Sequence, residues 1–347
     1  MAEPESDILF ARRGAAGIVT LNRPHALNAI THDMVRALAR QLDAWAADGA
    51  VTRIIVTAAG GRAFSAGGDI RALYELGRAG RQADALTFFR EEYALNAAIK
   101  RYRKPYVSLI DGIVMGGGFG VSVHGSHRVA GDRFQFAMPE VGIGFFPDVG
   151  ATWVLPRLPG EIGTWGALTG ERLKTADGVA AGIATHHVRS ERFPDLLDAL
   201  CGNVSVDALL AAFAEPPGEG PVMARRPAIE RLFAGDRVED ILSHLDAAGD
   251  DWSKAAAATI RAKSPTSLKI ALAQLRRGAD WSFEDCMRAE FRIVSRIVHG
   301  HDFYEGVRAA IVDKDNAPQW RPESLAAVDA ATVERHFAPL DDELRLS

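Results

Sequence analysis

Between Phe136 and Gly150 the chain reads Phe-Ala-Met-Pro-Glu-Val-Gly-Ile-Gly-Phe-Phe-Pro-Asp-Val-Gly. Two carboxylates, Glu140 and Asp148, stand in a run otherwise built from apolar residues, Gly and Pro. Isolated carboxylates are costly to bury. Such a run therefore folds either into the lining of a cleft or against a strong structural partner. Two glycine clusters precede it, Ser65-Ala-Gly-Gly68 and Met115-Gly-Gly-Gly118-Phe-Gly120. Glycines let backbone N–H groups approach an oxyanion, while acids move protons or position water. The combination points to chemistry on a polarised carbonyl. Taken singly, each glycine cluster also reads as an ordinary strand-to-helix turn, and each acid as a structural charge; Asp69 reads as a helix start.

The chain has 347 residues, 48% of them hydrophobic, enough for a large core or two domains. A net charge of −5 gives no basic arm and argues against a nucleic-acid partner. The only cysteines, Cys201 and Cys286, are far apart, which fits a reducing compartment and a cytoplasmic protein. No apolar run approaches the roughly 20 residues of a membrane-spanning helix. The acidic start, Met1 to Asp7, has neither the basic opening of a secretory signal nor Arg-rich transit character.

Periodicity predicts an α/β chain. Ile8–Ala11 and Gly17–Leu21 read as strands and Arg53–Thr57 as a buried strand. Between them Thr31 is a candidate N-cap for a helix carrying Met34, Val35, Leu38, Leu42 and Trp45 on one face. That order argues for a parallel crossover. Further strands are predicted at 105–110, 128–130, 134–136 and 183–188, with helices at 69–76, 83–100, 116–124 and 162–168. Alanine-rich helical patterns dominate after about residue 200, at 238–247, 254–262, 266–276 and 283–298. We therefore expect an α/β core over 1–200 and a helical C-terminal region over 201–347, the latter covering a ligand or making subunit contacts.

Several chemistries are excluded by pattern. The cluster at Gly116 fails the dinucleotide fingerprint because Val121 occupies its last position, and no phosphate-loop lysine follows. There is no nucleophile elbow of the G-x-S-x-G type. The ten histidines form no zinc spacing, so no metal is expected.

In their order along the chain, Leu21-Asn-Arg-Pro-His-Ala-Leu-Asn28, Ala63-Phe-Ser-Ala-Gly-Gly-Asp-Ile70, Lys104-Pro-Tyr-Val107, Met115-Gly-Gly-Gly118 and Met138-Pro-Glu140 resemble the crotonase (enoyl-CoA hydratase/isomerase) superfamily. Within it, Phe88-Phe-Arg-Glu-Glu-Tyr93, Phe146-Pro-Asp-Val-Gly150 and Gly300-His-Asp-Phe-Tyr-Glu-Gly-Val-Arg308 look most like the 3-hydroxyisobutyryl-CoA hydrolase branch. The resemblance spans about residues 8–322. It implies a spiral of ββα units with a helical C-terminal region, and an acyl-CoA substrate whose thioester carbonyl meets the N–H groups of Gly68 and Gly117. It also implies substrate contacts at Glu92, Ala66, Gly67, Gly116, His25 and Ala26. Coenzyme A is then part of the substrate, no separate cofactor is needed, and a homo-oligomer fits the superfamily.

Hydratases of the superfamily typically carry a glutamate where this chain has Gly120, and glycine where it has Asp148. One acid is lost and another gained, which favours the hydrolase branch. By this resemblance Glu140 activates water or attacks the thioester itself, and Asp148 holds a substrate 3-hydroxyl, as in the breakdown of valine. His25 departs from the lysine common in its motif, and Ala151 from a glycine frequent in related hydrolases. The alternatives are an enoyl-CoA hydratase or isomerase and a non-catalytic CoA-binding protein.

Overall fold

Three times along the chain a pair of strands splits between two sheets, and that repeat sets where the glycine turns lie. The computed structural model describes residues 6–346. The first five residues of the acidic N-terminal segment lie outside them. Its strands are β1 (Ile8–Arg13), β2 (Ala16–Leu21), β3 (Arg53–Ala58), β4 (Ala63–Ser65), β5 (Tyr106–Ile110), β6 (Ile113–Met115), β7 (His127–Ala130), β8 (Gln135–Ala137), β9 (Leu173–Lys174) and β10 (His186–His187). A six-stranded sheet has the order β1-β2-β3-β5-β7-β10, and a four-stranded sheet the order β4-β6-β8-β9. The pairs β3/β4, β5/β6 and β7/β8 each send their first strand to the large sheet and their second to the small one.

The residues group into two compact units, one of 1–68, 94–136 and 173–223, the other of 69–93, 137–172 and 224–347. In the first unit, β1 and β2 form an antiparallel hairpin, and β2, β3, β5, β7 and β10 run parallel. The predicted crossover is present: β2 pairs β3 with Gly17 opposite Ile54 and Val19 opposite Val56. Helix His32–Ala47 connects them, capped by Thr31, whose hydroxyl accepts the Met34 N–H at 3.2 Å. Gly17 is glycine for a reason of space, since a Cβ there would come within 2.7 Å of the Trp45 ring. On one sheet face Ile18, Ile55, Val107, Leu109 and Val129 pack with Leu196, Leu200 and Leu210 of helices Phe193–Leu200 and Val206–Phe213.

The strand expected over 183–188 is only His186–His187. The preceding residues close a turn instead: Ala184 N–H donates to Gly178 O at 3.0 Å. Apolar composition there reflects burial of Ile183 and Ala184 beside helix Thr175–Ala180, not extension.

The second unit is helical. Helices Pro265–Gly278 and Phe283–Ile297 start at serine caps, Ser264 and Ser282, each accepting the N–H three residues on at 3.1 Å. Phe145 sits at the centre of an aromatic group, stacked on Phe89 at 5.6 Å and tilted against Phe146 at 4.8 Å and Phe303 at 5.6 Å. Beyond β10 every described element is a helix. Among the described residues, no helix is long and apolar enough to cross a membrane.

The parallel pairing of β4 and β6 (Ala63 with Ile113, Ser65 with Val114) packs the glycine helix Gly116–Val123 against Ser65. A Cβ on Gly118 would fall 2.6 Å from both Cβ and O of Ser65. Helix propensity alone favours Gly118→Ala by roughly 1 kcal/mol. We expect the clash to win, with Gly118→Ala less stable by about 1–3 kcal/mol in urea unfolding.

Candidate active site

Two groups of residues are candidates for the chemistry, one of backbone amides in the first unit and one of carboxylates in the second. Because β4 and β6 are parallel neighbours, the chain leaves both at the same end, into Ala66-Gly-Gly68 and Gly116-Gly-Gly118. The two turns touch. A Cβ on Gly67 would lie 3.8 Å from Met115 O and 3.9 Å from Gly116 Cα, and its φ of +122° suits glycine alone. Gly117 is the second residue of its helix, where an N–H has no intrahelical acceptor. Among the described residues, neither the Gly68 nor the Gly117 N–H donates to a protein acceptor. Paired free amides of this kind can receive a carbonyl oxygen as it gains charge.

The Asn22–Asn28 loop holds this turn. Asn28 is buried with φ +55°, and its amide donates to Ala59 O and Ala63 O at 2.9 Å each while its Oδ1 accepts the Arg23 N–H at 2.8 Å. Ala66 N–H then donates to Leu27 O at 3.0 Å. His25 and Ala26 lie in the short turn Pro24–Ala26, with His25 exposed. Gly120 is buried, and helix Gly116–Val123 bears no titratable side chain.

The second unit brings together Glu92, Glu140 and Asp148, all expected from sequence, and adds Tyr93, Gln274 and Glu290, which were not. All six are buried. Asp148 Oδ2 accepts the Tyr93 hydroxyl at 2.8 Å. Burial pushes the Asp148 carboxyl up to about 7, with the Tyr93 bond opposing. Burial, then the charge of Asp148, holds Glu140 well above the usual carboxylate range. Glu92 is raised well above it too, by burial and by Asp148 and Glu290. Glu290 rises to about 8 through burial and Asp148, against the pull of the amides it binds. Glu92 Oε1, Glu140 Oε2 and Gln274 Oε1 have no partner among the described residues. Buried polar atoms without partners are rare, and a catalytic role is one of the explanations they invite. Asp69 caps helix Ile70–Arg78 by accepting the Ala72 N–H, the structural part expected of it.

His127, His187 and His301 each face one aspartate, namely Asp207, Asp132 and Asp302. Among the described residues no group of three or more His, Cys, Asp or Glu is disposed to hold a metal ion.

Residues 16–337 match the sequence pattern of the family described as Enoyl-CoA hydratase/isomerase. The chain belongs to that family. Its fold is the crotonase fold, and two solved structures overlay it closely. A carnitinyl-CoA dehydratase from Mycobacterium thermoresistibile superposes with TM-score 0.94 at 44% identity, covering 98% of this chain and 99% of that one. An enoyl-CoA hydratase from Rhodobacter sphaeroides 2.4.1 gives 0.93 at 39% identity, covering 98% and 100%. Among curated relatives, the 3-hydroxyisobutyryl-CoA hydrolase, mitochondrial, of Danio rerio is 46% identical, covering 97% of this chain and 91% of the relative. The protein of that name from Homo sapiens is 42% identical, covering 96% and 89%.

The raised carboxyls have a consequence for stability. Unfolded carboxyls titrate near 4, whereas folded Asp148 titrates at about 7. A raised folded value means that the native state holds its proton longer. The native contribution is therefore full below about pH 4 and is lost as pH climbs to about 7. Asp148→Asn removes that ionisation but keeps an acceptor for Tyr93. Its stability relative to wild type should grow between about pH 4 and pH 7 and then level off, a gain of a few kcal/mol by thermal unfolding in matched buffers.

Proposed function

We propose that this chain is an acyl-CoA thioester hydrolase acting on 3-hydroxyisobutyryl-CoA, releasing 3-hydroxyisobutyrate and coenzyme A in valine catabolism. One observation carries the reading: the glycine helix has no acid at Gly120, while Asp148 stands buried with Glu140 in a group of carboxylates. Adding water to a carbon–carbon double bond with two acids needs a carboxylate at the position of Gly120. The shared name of the curated relatives supports the same choice.

In this reading the N–H groups of Gly68 and Gly117 bind the thioester oxygen and stabilise it as it becomes an oxyanion. Losing one such donor typically costs about 2.7–4 kcal/mol of barrier. Glu140, with one oxygen unpartnered, takes a proton from water as the water oxygen bonds to the carbonyl carbon. The C–S bond then breaks and the CoA sulfur leaves with a proton. Attack by Glu140 itself, through an anhydride, is the other route. A single turnover in heavy-oxygen water separates the routes, because only the anhydride can leave label on the Glu140 peptide. Asp148 holds the substrate 3-hydroxyl. Glu92 contacts the acyl part, and Gly116, Gly67, Ala66, Ala26 and His25 contact the rest of the thioester and CoA. The reaction needs no metal or redox cofactor. A reducing compartment suits the two buried free cysteines, and the cytoplasm or an organelle matrix satisfies that equally.

The names of the solved structures favour a second reading, hydration of a short enoyl-CoA. Free-thiol release decides between them. We expect turnover of 3-hydroxyisobutyryl-CoA to exceed that of isobutyryl-CoA by roughly 100-fold or more, since a buried acid left without its hydroxyl is penalised. Asp148→Gly should erase that preference, and Glu140→Gln should lower kcat by about 10²–10⁴. Activity should rise with pH through the neutral range as the raised carboxyls ionise. Absence of thiol from both substrates, with Glu140-dependent hydration of crotonyl-CoA, overturns the proposal in favour of the second reading.

A further inference from the structure

Glu290 is fully buried on helix Phe283–Ile297, yet it belongs to none of the roles assigned above. Its two oxygens are both used. Oε2 accepts the Gly150 N–H at 2.8 Å and Oε1 the Thr152 N–H at 2.9 Å. These amides flank Ala151 at the start of the short helix Ala151–Val154, beginning two residues beyond Asp148. Between them and Asp148 the backbone is forced: Val149 has φ +53° and Gly150 +89°. A β-branched residue in the left-handed region is strained and persists only where its surroundings hold it.

The same loop is held elsewhere by single contacts. Gly144, at φ +69°, lies against the Asp302 backbone, which a Cβ would meet at 2.0 Å. Gln274 donates to Pro147 O at 2.5 Å, and Tyr93 donates to Asp148 itself. Three helices, Gln82–Lys100, Pro265–Gly278 and Phe283–Ile297, thus each send one side chain to a short stretch. Glu290 makes two bonds to it, both on the strained side.

We infer that Glu290 is a positioning residue: it clamps the strained turn Val149–Thr152 through two amides and so fixes Asp148 where it selects a hydroxylated acyl group. This rests on the part proposed for Asp148. Length and acceptor count both matter. Aspartate is one methylene short of spanning both amides. Glutamine keeps the length but has a single acceptor, so one N–H is left facing an NH₂ group.

The test uses the whole protein as Glu290→Gln and Glu290→Asp, with thermal unfolding confirming that each variant is folded. Two readouts are taken. The first is the ratio of kcat/KM for 3-hydroxyisobutyryl-CoA over isobutyryl-CoA. A change that only loosened packing would lower both rates together and leave the ratio alone. We expect the ratio to fall by about tenfold or more, since displacements on the ångström scale cost up to ~10² in rate, with Glu290→Asp restoring no more than part of it. The second is amide hydrogen exchange of the peptide spanning residues 145–154, expected to quicken in both variants while peptides from β3 and β5 do not change. An unchanged ratio with unchanged exchange in that peptide overturns the inference. Faster exchange with an unchanged ratio also overturns it, leaving Glu290 a purely structural clamp. If the wild type releases no thiol from either substrate, the hydrolase reading itself fails. The ratio of dissociation constants for the two thioesters, by calorimetry, then takes the place of the rate ratio: a fall in the variants supports the clamp, and no change overturns it.

Discussion

Burying four carboxylates in one unit is the constraint on which this molecule turns. Glu92, Glu140, Asp148 and Glu290 are buried, and the partners that meet them are a tyrosine hydroxyl and backbone amides, all neutral. Hydrogen bonds from neutral donors offset part of the desolvation and leave the rest as raised proton affinity. An arginine placed among these acids would have stabilised the fold, but it would also have pinned each of them as an inert anion. Burial raises all four, to about 7 for Asp148 and about 8 for Glu290, an exchange of stability for proton affinity of the kind found at functional sites.

In the proposed mechanism the other half of the chemistry falls to atoms that every residue has. Amides at Gly68 and Gly117 become donors because a parallel strand pair delivers two turns side by side, and because a helix that opens on glycines leaves its first N–H groups free. The glycine at 118 is there for packing against Ser65, the one at 67 for its backbone angle, and the one at 117 stands in the first turn of its helix, where an N–H has no intrahelical acceptor. Three neighbouring glycines thus answer three different physical demands, which explains why a single consensus for the cluster says little about function.

Much of this was legible in the chain. Alternation and apolar runs located β1, β2, β3, β5 and β7, and Thr31 was found as a cap because its hydroxyl has one obvious N–H to accept. Strands of two or three residues, β4, β6 and β9, carry no periodicity to read and exist through pairing with distant segments. Glu140 and Asp148 stood out against apolar neighbours. Tyr93 did not, since a tyrosine on an apolar helix face is ordinarily core, and only the structure shows where its hydroxyl goes. Glu290 left a signal that was passed over. Phe283, Cys286, Met287, Ile293, Val294 and Ile297 form a buried stripe at helical spacing, and Glu290 sits inside it. A carboxylate in such a stripe asks for a partner as surely as Asp148 does.

The closeness of the solved hydratase and dehydratase structures shows how little the fold decides about the reaction. Two positions separate the readings. A glutamate at 120 would put a second acid on the helix that carries the amide of Gly117. Glycine there removes it, and the aspartate at 148 adds an acid on a different element, held by a tyrosine and followed by a strained turn. Moving one carboxylate from a regular helix to a strained loop changes what must be kept rigid. On a helix, the backbone hydrogen bonds position the acid. On the stretch from Pro147 to the short helix Ala151–Val154, the local backbone supplies the Ala151 N–H bond to Asp148 O at 3.0 Å, and side chains from other helices supply further rigidity. The contacts of Tyr93, Gln274 and Glu290 with this loop are therefore what an acid at position 148 demands of the rest of the unit.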